Sequence, residues 1–277
     1  MKHFAWAAVA FFLSVGVAPA HDRSSAPVPP AARQTAPQAP LPGIAYHGEM
    51  AEAQGLMVAK DYEHAIQIYA NMIRENPGNS TVWNMMGVAL QQTGQIDSAR
   101  SAYARATKLN PKFAEAYNNI GTTWYQEQKY GKALRAYQKS IAVNPNLASA
   151  YSNMGCAYFS VKKYPQALDA FNKALALDPD VFLQSNYAGS VLQDRSVTDH
   201  GTFYFLLAKS YAERNDAATC AEYLLKSFDE GYKNIATVKT DPSFAKVLTY
   251  PGVQAVLDKA DANANAAAKV PPSAPRT

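Results

Sequence analysis

Trp83-Asn84-Met85-Met86-Gly87, Tyr117-Asn118-Asn119-Ile120-Gly121 and Tyr151-Ser152-Asn153-Met154-Gly155 open three segments spaced 34 residues apart. Each continues with a second apolar stretch that carries Ala99, Ala133 or Ala167, then Tyr103, Tyr137 or Phe171, and closes at Pro111, Pro145 or Pro179. A fixed period of this length marks a stacked array of helical units. In the first stretch of each unit, Trp83, Met86, Gly87 and Leu90 fall at helical spacing, as do Tyr117, Ile120, Gly121 and Trp124, and Tyr151, Met154, Gly155 and Tyr158.

Glycine inside a helix costs roughly 1 kcal/mol against alanine, so its recurrence at 87, 121 and 155 calls for a packing reason. Close approach of the second helix supplies one, with the recurring alanines 99, 133 and 167 expected opposite the glycines. The pairs Asn110-Pro111, Asn144-Pro145 and Asp178-Pro179 set the turns, because proline withholds a backbone donor and pushes the preceding residue out of the helical region.

These residues resemble the tetratricopeptide-repeat (TPR) family, whose units place an aromatic, a glycine, an alanine, a second aromatic and a proline at these offsets. The resemblance implies an all-α, right-handed solenoid of paired antiparallel helices, with a concave face that holds an extended peptide or a partner's helix. It implies no catalysis.

Extending the period outward gives about five repeats. Residues 46–79 form a first repeat in which Tyr62, Ala65, Tyr69 and Pro77 keep the phase, while Glu49 and Ala53 replace the aromatic and the glycine. A more polar outer helix is what an end cap requires. Residues 80–113, 114–147 and 148–181 are the regular repeats. The phase then breaks and returns at Tyr204, Ala208 and Tyr211, each 53 residues beyond Tyr151, Gly155 and Tyr158, which leaves an insertion at 182–200. Its sequence suits a short hairpin about Tyr187-Ala188-Gly189 or an ordered loop. The fifth repeat, 201–231, is degenerate, with Cys220 and Leu224 in the alanine and aromatic columns and Gly231 as a helix C-cap. Asp241-Pro242 and Tyr250-Pro251 predict two short capping helices within 232–260, ending near Ala260. The solenoid thus occupies 44–260, and 261–277 is a frayed tail rich in Ala, Asn and Pro. The insertion and tail resemble those of a subset of bacterial envelope TPR proteins.

Lys2, the apolar run Phe4–Val17 and Ala18-Pro19-Ala20 read as a secretory signal peptide over 1–20, cleaved near Ala20. The apolar run is shorter than the roughly 20 residues of a spanning helix, so the mature chain is expected without a transmembrane helix, in the periplasm or outside the cell. Residues 21–43 are rich in Pro and Ala and read as a disordered linker. Net charge is +4 with no clustered cations, which argues against a nucleic-acid partner.

No catalytic constellation, phosphate loop or metal-binding spacing is present, the five histidines are scattered, and no cofactor is expected. The two cysteines, Cys156 and Cys220, are expected as buried thiols and not as a disulfide. The resemblance carries a binding face onto Asn84, Val88, Gln91 and Gln92; onto Asn118, Asn119, Thr122, Tyr125 and Gln126; and onto Ser152, Asn153, Cys156, Phe159 and Ser160. Asn119 and Asn153 resemble a short asparagine ladder, interrupted by Met85, that would grip peptide groups through donor and acceptor together. Tyr125 and Phe159 would add apolar contacts. Glu115 and neutral amides stand where a carboxylate clamp carries cations, which disfavours an acidic C-terminal tail as the ligand. The expected function is a non-enzymatic interaction scaffold of the cell envelope with a protein or peptide partner. The alternative is a self-associating envelope assembly protein that uses the insertion or the end helices, with a homo-oligomer as its outcome.

Overall fold

The computed structural model describes residues 42–182 and 199–268. The expected signal peptide, most of the linker, the hairpin or loop of the insertion and the last part of the tail lie outside them. The described residues form twelve α-helices and no strand.

The helices alternate as the period demands. Repeat one is α1 (Pro42–Val58) and α2 (Tyr62–Glu75), and repeat two is α3 (Ser80–Gln92) and α4 (Ile96–Leu109). Repeat three is α5 (Ala114–Gln126) and α6 (Tyr130–Val143), and repeat four is α7 (Ala148–Ser160) and α8 (Tyr164–Leu177). Repeat five is α9 (His200–Glu213) and α10 (Ala217–Asp229), followed by α11 (Ile235–Thr240), a 3-10 turn (Pro242–Phe244) and α12 (Pro251–Ala268). Each helix packs on its own partner and on the next repeat, and α8 meets α9 less extensively than α6 meets α7.

The glycine column has a different partner from the one expected. A Cβ on Gly87 would stand 2.5 Å from the Tyr103 ring, and Gly121 and Gly155 are covered in the same way by Tyr137 and Phe171. The alanines 99, 133 and 167 are fully buried, but the atoms nearest each glycine belong to the ring one helical turn further on, joined at Gly155 by the Ala167 carbonyl at 3.2 Å. Over Gly87, Gly121 and Gly155 the ring lies against bare helix backbone, whereas in repeat one Tyr69 is buried with Ala53 in the glycine's place. In repeat five, Ala208 replaces the glycine and Leu224 the ring, and both are buried.

Two turn types recur. Within each repeat one residue takes a positive φ: Lys60 (62°), Gly94 (79°), Gln128 (57°), Lys162 (60°) and Asn215 (62°). The amide after it donates back to the carbonyl five residues earlier, as from Lys129 to Trp124 and from Lys163 to Tyr158, both at 2.9 Å. Between repeats, Asn76, Asn110, Asn144 and Asp178 end the second helix, and each side-chain oxygen accepts from the amide two residues on, at 2.9–3.2 Å. These Asx turns carry the chain through the following proline.

The apolar core falls into two clusters, one from Ala53 to Tyr103 and one from Tyr125 to Leu257. Cys156 and Cys220 are buried thiols not joined to one another, and burial pushes the Cys220 thiol up to about 12. Gly231 caps α10 with φ 94°. The two short capping helices are replaced by three unequal elements. Pro242 starts only a 3-10 turn, because Phe244 and Val247 turn inward to the core, whereas Pro251 starts a helix that continues past Ala260 to Ala268. The segment between α10 and α12 lies across α9: Tyr232 stacks on Phe205 at 4.4 Å, Phe244 sits 5.7 Å from the same ring, and Lys209 bridges Asp241 at 2.6 Å.

Replacing Gly121 by Ala gains helix propensity of about 1 kcal/mol yet drives a methyl into the Tyr137 ring at a cost of roughly 1–3 kcal/mol, for a net loss of roughly 0–2 kcal/mol. A double-mutant cycle of Gly121→Ala with Tyr137→Leu, read by chemical denaturation, should show a favourable coupling of at least about 1 kcal/mol; additive effects would refute the ring-on-glycine account. Burial alone would raise the Asp241 pKa, but hydrogen bonds from Lys209 and Ser243 hold it below its ordinary 3.8. A depressed carboxylate stabilises the fold above its unfolded value and loses that contribution as pH falls through the folded one. The stability gap between the native chain and Asp241→Asn should therefore be constant above about pH 5 and close below 3.8; a gap independent of pH would exclude a role for the ionised carboxylate.

Candidate interaction face

The first helices of successive repeats are stitched side by side by their polar residues. Asn119 Nδ2 donates to Asn84 Oδ1 and Asn153 Nδ2 donates to Asn118 Oδ1, both at 3.0 Å. The bonded partners are 35 residues apart, not the 34 of the repeat, so the ladder zigzags between two neighbouring columns. Interruption at Met85 does not shorten it, because Asn84 in the adjacent column takes over. All four asparagines are buried, with Asn118 1% and Asn119 0% exposed.

Gln91 forms a second bridge. Its Nε2 donates to Thr122 Oγ1 at 3.2 Å and to Gln126 Oε1 at 3.0 Å, and its Oε1 accepts from the Tyr103 hydroxyl at 2.8 Å. Thr122 in turn donates to the Asn119 carbonyl at 2.8 Å. On the outer side of the same junction, Arg100 lies 3.7 Å over the Trp124 ring, donates to Thr123 Oγ1 at 3.1 Å and pairs with Glu127 at 2.8 Å. The bond from Arg100 holds the Glu127 carboxyl below its usual range. Repeats two and three are thus joined through amides, hydroxyls and one ion pair, between the two apolar clusters.

Toward repeats four and five the bridges become aromatic. The Tyr125 hydroxyl meets Ser160 Oγ at 2.8 Å, and its ring packs on Tyr130 at 5.2 Å. Phe159 packs between Tyr164 and Phe203 at 5.3 and 5.5 Å, so its ring serves the joint to repeat five. Of the predicted binding residues, Asn84, Gln91, Asn118, Asn119, Thr122, Tyr125, Asn153 and Phe159 are all buried, and the structure brings them together as contacts between repeats.

Two amide atoms are left over. Asn118 spends its oxygen on Asn153 and Asn119 spends its nitrogen on Asn84; Asn118 Nδ2 and Asn119 Oδ1, both shielded from solvent, have no partner among the described residues. One is a donor and the other an acceptor, the complement of a peptide group. Among the described residues no group of His, Cys, Asp and Glu is arranged to hold a metal. Sequence reasoning missed Arg100 with Trp124, because Arg100 belongs to no motif and Trp124 reads only as part of the apolar stripe. It also missed Lys209 with Asp241, which come together only when the segment after α10 folds back over α9.

Profiles described as tetratricopeptide repeat match residues 148–181 and 56–120, and one described as TPR repeat matches 123–162. No curated protein matches the chain. Among solved structures, PilF of Pseudomonas aeruginosa superposes with a TM-score of 0.51 at 14% identity, covering 81% of this chain and 92% of its own, which shows a shared fold. MamA of Desulfovibrio magneticus RS-1 gives 0.46 at 20% identity over 67% and 94%, and the TPR domain of Arabidopsis OM64 gives 0.36 at 28% over 36% and 84%.

The column that holds Gln91 decides the fate of the tyrosine facing it. In repeat three, Tyr125 occupies that column and the Tyr137 hydroxyl has no partner among the described residues; burial, with Cys156 and Tyr125 nearby, raises its pKa well above 10.0. Tyr103→Phe should cost roughly 1–3 kcal/mol by stranding Gln91 Oε1, whereas Tyr137→Phe should be neutral or stabilising. Equal losses in denaturant unfolding would contradict this division.

Proposed function

This chain belongs to the tetratricopeptide-repeat family, and on that premise we propose that it is a non-enzymatic interaction scaffold of the cell envelope that receives an extended protein segment on the first-helix face of repeats two to four. Proteins of this fold are protein-interaction scaffolds, and among the described residues the recurring positions of the repeats are spent on packing. A signal sequence over residues 1–20, built from Lys2, Phe4–Val17 and Ala18-Pro19-Ala20, supports export to the periplasm or beyond. No helix among the described residues is long and apolar enough to cross a membrane.

The observation that carries the inner-face reading is the pair of unsatisfied amide atoms, Asn118 Nδ2 and Asn119 Oδ1. A buried polar atom without a partner costs roughly 1–3 kcal/mol, a deficit that a bound peptide group would relieve. Each amide is fixed by the bond its other atom makes, so little side-chain freedom is lost on binding. Both atoms are shielded from solvent, so an extended segment reaches them only as the neighbouring first helices part; it then offers its N–H to Asn119 and its C=O to Asn118 whatever its side chains. Affinity would then come from the backbone and selectivity from neighbouring exposed residues such as Gln92 and Gln126.

The test takes a peptide selected on the full chain from a random displayed library and compares its calorimetric affinity for the native protein, Asn118→Ala, and a control substitution at the exposed Glu52 of repeat one, Glu52→Ala. Each variant is measured well below its own melting temperature. Asn118→Ala should weaken binding roughly 3–10-fold, the value of one hydrogen bond, and N-methylation of a single peptide amide should weaken it similarly. Affinity that is indifferent both to Asn118→Ala and to every N-methylation would place binding elsewhere and overturn the reading.

A further inference from the structure

Away from the first-helix face, α10, the residues after it and α12 line a half-open pocket of about 360 Å³. Its floor is apolar: Leu225 and Phe228 from α10, Ile235 from the start of α11, and Val256 and Ala260 from α12. Leu225, Phe228, Ile235 and Val256 remain half-buried. Every apolar surface left in contact with water costs about 25 cal/mol per Å², so the fold bears a standing penalty that an apolar ligand would remove. The volume lies in the range of small-molecule sites.

Charge at the rim is uneven. Lys259 reaches Asp229 only at 3.9 Å, and Lys233 has no acidic partner among the described residues. The mouth therefore carries two ammonium groups against one carboxylate, over an apolar floor. From this we infer that the cavity is a binding site for a single-chain anionic amphiphile, such as a medium-chain carboxylate, with its chain against Phe228 and Val256 and its head group at Lys233. The site is separate from the first-helix face and stands or falls independently of the peptide reading.

Binding of dodecanoate and of dodecanol, both below their aggregation concentrations, is measured by titration calorimetry on the full chain, with sedimentation equilibrium run in parallel. The native protein should bind one dodecanoate per chain, more tightly than dodecanol. Lys233→Gln should weaken dodecanoate about 5–10-fold and leave dodecanol unchanged. Ala264→Phe, at an exposed position on the lining, should reduce both at least tenfold while the far-ultraviolet circular dichroism is kept. The inference is overturned by an absence of saturable dodecanoate binding, by binding that ignores Ala264→Phe, or by equal affinity for acid and alcohol in the native protein. It is overturned too if the chain dimerises through this face and dodecanoate leaves the dimer intact.

Discussion

A ring laid flat on a helix backbone is the contact on which the repeat depends. Tyr103, Tyr137 and Phe171 cover Gly87, Gly121 and Gly155 so closely that a single methyl has no room. This fixes how near the two helices of a pair approach, and every other spacing follows: the alanines buried beside the crossing, the left-handed residue that turns the chain, and the Asx turn that launches the next pair. Where the ring is lost, as at Leu224, the glycine is lost with it and Ala208 fills the space.

Upon that frame the repeats differ in how they are joined. The junction of repeats two and three is polar, with Asn84, Gln91 and Arg100 all reaching across it. The junction of repeats four and five is aromatic, with Phe159, Phe171 and Phe203 edge to face. Beyond it the chain doubles back, so that Tyr232, Asp241 and Phe244 cover α9. A solenoid built from one motif thus presents different chemistry along its length, amide-rich between repeats two and four and aromatic between repeats four and five.

The fold was legible in the sequence because ring, glycine, alanine and proline occupy fixed columns and periodicity reports columns directly. The direction of side chains within a column was less so. Asn119 and Asn153 share a column and suggest a ladder between themselves, yet each bonds to the neighbouring column of the preceding repeat, a choice made by the offset between adjacent helices. The alanines seemed to be the glycines' partners because both are small, whereas a flat ring needs the gap more. The left-handed residues escaped notice because Lys60, Gln128 and Lys162 have side chains and only Gly94 and Asn215 advertise the conformation. The ends were hardest, since Pro242 and Pro251 look alike locally and only Phe244, buried against Phe205, stops the first helix from extending.

The division of the apolar core into two clusters, with a polar seam between them, has a calorimetric consequence. Burial of hydrocarbon carries a large heat-capacity change and loses strength on cooling, whereas burial of amides carries a heat-capacity change of the opposite sign. Ile120 carries apolar packing across the boundary between repeats two and three, so that boundary too weakens toward the freezing point. What cooling spares is its polar bonds, which carry a growing share of its strength.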